Sequence, residues 1–81
     1  MRLPRDLSCP DLVKALAKLG YQVTRQTGSH IRLTTTQGGP HHLTIPNHSS
    51  LRIGTLSAIL SEVSMHFSIS REELLQKLFS K

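Results

Sequence analysis

The chain has 81 residues and a mass of 9.0 kDa, so it has room for one small hydrophobic core, and we expect a single domain over residues 1–81. Ten lysines and arginines against five acidic residues give a net charge of +5, which favours nucleic acid, an anionic membrane surface or an acidic protein as partner. The single Cys9 excludes an internal disulfide and a cysteine-based zinc site, and without a membrane-spanning run or a signal peptide we expect a cytoplasmic protein.

The first predicted element is a helix over about residues 10–20. Ser8, three positions before Asp11, is typical of a helix N-terminus, and Gly20 is typical of a helix end. The apolar side chains recur at helical spacing, which predicts one buried stripe. This stripe consists of Leu12, Val13, Leu16 and Leu19.

The pattern then changes to strict alternation, which predicts three strands in an antiparallel meander. Gly28 and the segment 38–40 mark the two turns, and Pro46 ends the third strand. Alternation predicts that Tyr21 and Val23 point toward the helices while the polar side chains form an open face. The predicted open face holds Gln22, Thr24, Gln26, His30, Arg32, Thr34, His42 and Thr44.

Two further helices are predicted after the strands. Apolar residues repeat at helical spacing from Leu56 to Phe67, and Thr55 is the predicted N-cap. The last helix begins at Ser70, which forms a capping box with Glu73. The resulting order is α-β-β-β-α-α. It predicts an α+β fold with a three-stranded antiparallel sheet covered by helices on one face.

His30 is the candidate for acid–base chemistry, because imidazole titrates near neutral pH and the turn 28–30 places it at the start of a strand. One interpretation is RNA cleavage. The imidazole takes a proton from a ribose 2′-hydroxyl, which attacks the adjacent phosphorus while a cation stabilises the developing charge. This chemistry needs neither a metal nor another cofactor. Composition alone favours the simpler alternative, a surface histidine that starts a strand.

Three neighbours of His30 are candidate RNA contacts. Arg25 and Arg32 are the nearest cations in the sequence and are candidates for binding phosphate. Ser29 is interpreted as a turn-capping hydroxyl or a phosphate donor. We do not expect it to be a nucleophile paired with His30, because adjacent residues of a strand point to opposite faces.

His48 and Thr55 are further candidate phosphate contacts. His48 either assists at the edge of the sheet or is a solvated loop residue. Thr55 stands at a helix start, where backbone N–H groups bind anions, and it also fits a purely capping role. A metal site made of His41, His42 and His48 matches no compact ligand spacing, so we expect no metal.

Three motifs follow one another along the chain. Residues 16–30 read L-x3-G-x2-V-x-R-Q-x-G-S-H, residues 45–60 contain I-P-N-H and then L-x2-G-T-L-x2-I-L, and residues 70–75 read S-R-E-E-L-L. In this order, over residues 3–79, the motifs resemble the HicA-type (YcfA-like) toxins of bacterial toxin–antitoxin pairs.

The resemblance implies a double-stranded-RNA-binding-domain-like fold and a ribosome-independent endonuclease activity on mRNA. It implies that the catalytic residue is the histidine of G-S-H, which is His30 here. It also implies a HicB-type antitoxin as partner, which blocks the active surface and usually carries its own DNA-binding module. Contact with DNA is then expected only through the antitoxin.

The chain departs from the family pattern at Thr27, where family members often have a lysine or arginine that would contact phosphate. One alternative function is a non-catalytic RNA-binding domain of the same fold. A second is a DNA-binding regulator that uses the last two helices. It is disfavoured because Glu72 and Glu73 would repel phosphate at the entering end of the helix.

Overall fold

A computed structural model describes residues 3–4 and 6–79 of the chain. The elements, in chain order, are α1 (Cys9–Leu16), β1 (Gln22–Gln26), β2 (His30–Thr35), β3 (His41–Pro46), α2 (Ile53–Phe67) and α3 (Arg71–Phe79). The strands form one antiparallel sheet in the order β1-β2-β3. The predicted α+β class and the predicted α-β-β-β-α-α order are therefore confirmed. Among the described residues, no helix combines the length and the apolar character needed to cross a membrane.

The start of α1 follows the sequence prediction. The Ser8 hydroxyl accepts a hydrogen bond from the Asp11 N–H at 3.1 Å, which satisfies one of the free donors of the first turn. The α-helix is shorter than the predicted 10–20, because a 3₁₀ turn over Ala17–Leu19 replaces its last residues. Gly20 ends this turn with φ at 83°, a left-handed conformation that favours glycine.

The core lies between the helices and one face of the sheet. The register pairs Leu33 with Leu43 and Ile31 with Ile45, so β2 and β3 present alternate apolar residues to the same side. Full burial of each such side chain contributes about 1.5–3 kcal/mol to the free energy of unfolding. The fully covered large side chains include Tyr21, Leu12, Leu16, Leu33, Leu43, Ile45, Leu56, Leu60, Leu74, Leu75, Leu78 and Val63.

A β-bulge in β1 overturns one part of the predicted alternation. The register shifts between Val23 and Arg25, so Thr24 is an extra residue in the ladder. Beyond the bulge, Arg25 lies opposite Arg32 and Gln26 lies opposite the buried Ile31. The bulge therefore turns Arg25 toward the open face. The prediction that Gln26 lies on that face was wrong.

The two apolar residues predicted to point inward at the start of β1 differ. Tyr21 is buried, as predicted, with 1% of its surface exposed. Val23 lies opposite Leu33 on the helix side, but 46% of its surface is exposed. All five residues of β1 are exposed, because this is an edge strand that the helices do not cover. Val23 therefore faces the predicted side of the sheet, but the helices leave it about half exposed.

The N-cap predicted at Thr55 was also wrong, whereas the one predicted at Ser70 is confirmed. α2 begins at Ile53, and its N-cap is Arg52, which has extended backbone and no side-chain capping hydrogen bond. Thr55 therefore lies inside the first turn. At the start of α3, the Ser70 hydroxyl accepts a hydrogen bond from the Glu73 N–H at 3.0 Å.

Candidate functional site

The open face of the sheet is polar and mostly exposed to solvent. The register places every second residue of β2 and β3 on it. Side-chain hydrogen bonds link the three strands across this face: Thr34 Oγ1 lies 3.1 Å from Thr24 Oγ1 and 2.8 Å from His42 Nδ1. The face contains Gln22, Thr24, Arg25, His30, Arg32, Thr34, His42, Thr44 and Pro46, with no carboxylate among them.

Two arginines lie directly opposite each other on the open face. Arg25 on β1 is the register partner of Arg32 on β2, and both are exposed. Like charges at directly opposite positions destabilise a sheet. An anion bound between them would offset this repulsion, so the pair has the electrostatic character of a phosphate-binding site. The bulge at Thr24 creates this pairing.

The backbone of His30 is fixed by Thr27. The His30 N–H donates to Thr27 Oγ1 at 3.1 Å, and the Thr27 N–H donates to the His30 carbonyl at 2.9 Å. The Asn47 N–H also donates to the Ser29 carbonyl at 2.9 Å, which ties the turn to the end of β3. In the sequence, Thr27 stands out only as the position where family members often have a lysine or arginine. A hydroxyl three residues before His30 is the signal that would have identified this role.

Ser29 and His30 contact each other through their side chains. Ser29 Oγ lies 2.9 Å from His30 Nδ1, so the two form a hydrogen bond. The prediction that alternation separates them was wrong, because Ser29 lies in the turn before β2 begins. Within the part of the chain that the structure describes, no hydrogen bond engages Nε2, and the ring is exposed. Nε2 is therefore the nitrogen available for proton exchange with a bound molecule.

A cleft of about 370 Å³ opens between the open face and α2. We call it the His30 cleft. Its α2 wall is built from residues at i, i+3, i+4 and i+7, which share one side of a helix. The cleft therefore brings His30 together with two residues of α2. Thr55 was a candidate predicted from the sequence, and Glu62 was not. The cleft is lined by His30, Thr44, Pro46, Thr55, Ala58, Ile59 and Glu62.

The N-terminus of α2 contributes a positive electrostatic potential to the His30 cleft. Thr55 lies in the first turn of this 15-residue helix. Arg52 gives that turn no side-chain capping hydrogen bond. Backbone N–H groups at a helix start, together with the helix dipole, favour a bound anion.

His48 lies outside the His30 cleft. Its side chain is exposed in the loop after β3, and its carbonyl accepts a hydrogen bond from the Cys9 N–H at 3.0 Å. His41 and His42 are adjacent on β3 and so point to opposite faces of the sheet. Over residues 3–4 and 6–79, no three histidine, cysteine, aspartate or glutamate side chains are grouped to hold a metal ion.

A cluster of Tyr21, His41 and His66 lies on the helix side of the sheet. The rings of His41 and His66 are stacked with their centroids 4.5 Å apart, and the Tyr21 hydroxyl lies 2.7 Å from His41 Nδ1. Burial, reinforced by the charge of Glu62, raises the pKa of Tyr21 to about 12. Burial also lowers the pKa of His41, and the neighbouring His66 adds to that effect. Sequence reasoning missed this cluster.

The family model described as the HicA toxin of bacterial toxin–antitoxin pairs matches residues 9–65, a segment that contains α1, the whole sheet and most of α2. The class of protein is therefore the toxin of such a pair. The chain belongs to the HicA toxin family, and the predicted resemblance is confirmed. Membership implies a HicB-type antitoxin as the partner. No curated protein and no solved structure matches the chain.

Proposed function

We propose that this protein is an endoribonuclease, an mRNA interferase that cleaves RNA by acid–base chemistry at His30. The reaction uses no metal ion, no other cofactor and no ribosome. Its site of action is the cytoplasm, where mRNA is translated. The single observation that carries the proposal is the His30 cleft, which combines an exposed imidazole with the N-terminus of α2.

The substrate is held through its phosphates. Arg25 and Arg32 carry two like charges on the open face, in the same cross-strand row as Thr44, which lines the cleft. The first turn of α2, including Thr55, offers a second anion-binding position. RNA lying across the open face would meet both positions. The open-face residues include no carboxylate, which favours an extended polyanion on that face.

His30 supplies the proton exchange. Its backbone is fixed by Thr27, and its Nδ1 is engaged by Ser29, so Nε2 is the ring nitrogen left for a bound RNA. RNA carries its own nucleophile, the 2′-hydroxyl next to each phosphate. A positioned imidazole that exchanges protons with the reacting oxygens contributes about 10²–10⁴-fold to the rate of such a step.

The HicB-type antitoxin acts, in this proposal, by covering the open face. The chain carries a net charge of +5, so a partner that presents acidic groups to Arg25 and Arg32 would compete directly with RNA. The alternative of a non-catalytic RNA-binding domain has one observation in its favour, since the arginine pair serves binding equally well without cleavage.

The test is digestion of a single-stranded RNA of mixed sequence by purified wild type and by His30→Ala, with EDTA present. We expect the wild type to cleave and the variant to bind without cleaving. Because the His30 ring is exposed, its removal should change the free energy of unfolding by less than about 0.5 kcal/mol, checked by urea denaturation. Binding without cleavage by the wild type would support the alternative function. Cleavage by a folded His30→Ala at the wild-type rate would refute the assignment of His30.

A further inference from the structure

RNA cleavage through the 2′-hydroxyl needs two proton transfers. One group takes the proton from the 2′-hydroxyl, and another gives a proton to the 5′-oxygen that leaves. A single imidazole fills only one of these roles in a single step. The second group must reach the same phosphate from another side, so it has to line the same cleft.

We propose that Glu62 is this second group and acts as the general base. The proposal rests on the function proposed above and assigns the group that it leaves open. Among the residues that the structure describes, Glu62 and His30 are the two titratable side chains that line the His30 cleft, Glu62 from α2 and His30 from the start of β2. Glu62 is exposed, so water and a sugar hydroxyl have access to its carboxylate.

The other titratable residues near the open face are poorly placed for this role. His42 lies opposite Thr34, four residues along β2 from His30, which corresponds to about 13 Å at the usual rise of a strand. Arg32 is two residues away, at about 7 Å, but a guanidinium does not give up its proton in proteins. His48 does not line the cleft. Within the described part of the chain, Glu62 is left as the partner of His30.

The ordinary acid–base chemistry of a carboxylate and an imidazole sets the direction that we assign to each transfer. Carboxylates are ordinarily ionised at neutral pH, so the carboxylate accepts the proton of the 2′-hydroxyl as the bond from O2′ to phosphorus forms. The imidazolium form of His30 gives its proton to O5′ as the bond from phosphorus to O5′ breaks. The products are a 2′,3′-cyclic phosphate and a 5′-hydroxyl. This assignment makes His30 the acid of the cleavage step, the reverse of the direction predicted from the sequence.

The test compares Glu62→Gln with the matched control Glu73→Gln, which removes an exposed carboxylate of α3 outside the cleft. The rate of cleavage is measured against pH at a mapped site of the mixed-sequence RNA. For Glu62→Gln we expect a loss of about 10²-fold or more and the disappearance of the low-pH limb of a bell-shaped profile. The control should keep the wild-type rate and profile.

A second substrate separates the two roles. An RNA with a bridging 5′-sulfur at the mapped site has a leaving group that needs no proton. On it, His30→Ala should recover most of its lost rate and Glu62→Gln should not.

Each other result overturns the assignment. A Glu62→Gln rate within about 2-fold of the wild type with an unchanged profile excludes Glu62 as a catalytic residue. Recovery of Glu62→Gln instead of His30→Ala on the sulfur substrate reverses the roles. If the wild type does not cleave RNA, the proposed function fails and the role of Glu62 fails with it. If the wild type cleaves and His30→Ala does not, a normal Glu62→Gln defeats this inference alone.

Discussion

Ser29 Oγ lies 2.9 Å from Nδ1 of His30, the next residue along the chain. This contact occupies the ring nitrogen nearest the backbone and leaves Nε2 directed away from it. A histidine used in proton transfer needs one nitrogen held and the other free, because the held nitrogen sets the ring orientation and the tautomer. Ser29 is therefore a positioning residue in the proposed reaction, whereas the sequence predicted a turn cap or a phosphate donor.

Replacing Ser29 by alanine should lower kcat and leave KM unchanged. Loss of one hydrogen bond worth about 0.5–1.5 kcal/mol corresponds to a decrease of roughly 2- to 10-fold. Ser29→Thr retains the hydroxyl and should restore most of the rate. Steady-state kinetics on the mapped RNA site measure both constants. A rise in KM with kcat preserved would show instead that Ser29 binds phosphate.

Arg25 and Arg32 should contribute to RNA binding without stabilising the fold. In the His30→Ala background, replacing either residue by glutamine should weaken binding and reduce the slope of log affinity against log salt by about 0.7. The free energy of unfolding should stay constant or increase by a few tenths of a kcal/mol, since two like charges lie directly opposite each other. Fluorescence anisotropy over a salt series measures the slope.

The control for this experiment is Lys77→Gln, which removes an exposed cation of α3, a helix that contributes no residue to the open face. It lowers the net charge by the same amount as each arginine variant. If Lys77→Gln and Arg32→Gln weaken RNA binding equally, binding depends only on the overall charge of the protein. That result would contradict a defined phosphate site.

Acid should destabilise the fold through His41. Burial first, and then the neighbouring His66, lower the pKa of His41, while Glu62 opposes and His42 adds to this effect. The unfolded chain then binds a proton more readily than the folded one. The free energy of unfolding should therefore fall as the pH drops below the ordinary value of about 6.5 toward the lowered folded value.

The measurement is urea denaturation between about pH 7.5 and pH 5. His41→Gln, which cannot take up the proton, should show a smaller loss of stability over this range than the wild type. His48→Gln changes an exposed loop histidine and should behave like the wild type. An identical pH dependence of wild type and His41→Gln would contradict the role assigned to His41.

Features determined by neighbouring residues were predicted well from the sequence. The caps at Ser8 and Ser70 depend on a hydroxyl and a backbone N–H three residues apart, and both hydrogen bonds are present. The three strands, and the helix-facing residues of β2 and β3, follow from alternation. The placement of His30 and Arg32 on the open face followed from the same rule and is confirmed.

Features that depend on tertiary packing were not predicted. The bulge at Thr24 has no glycine to mark it, yet it decides that Arg25 rather than Gln26 reaches the open face. α2 begins at Ile53 without a side-chain cap, so no local signal marks its start. In the sequence alone, Glu62 cannot be distinguished from an ordinary solvated carboxylate, because its position in the His30 cleft depends on the packing of α2 beside β3.

In the proposed reaction the sugar 2′-hydroxyl attacks the phosphorus while His30 exchanges a proton, and one substrate substitution tests the identity of this nucleophile most directly. After the cleavage site of the wild-type protein is mapped on an RNA oligonucleotide, the 2′-hydroxyl at that site alone is replaced by hydrogen. We predict that the all-ribose strand yields a 2′,3′-cyclic phosphate end by mass spectrometry and that the substituted strand is not cut at that site. Cleavage of the substituted strand at an undiminished rate, or a product with a 3′-hydroxyl end, would contradict the account.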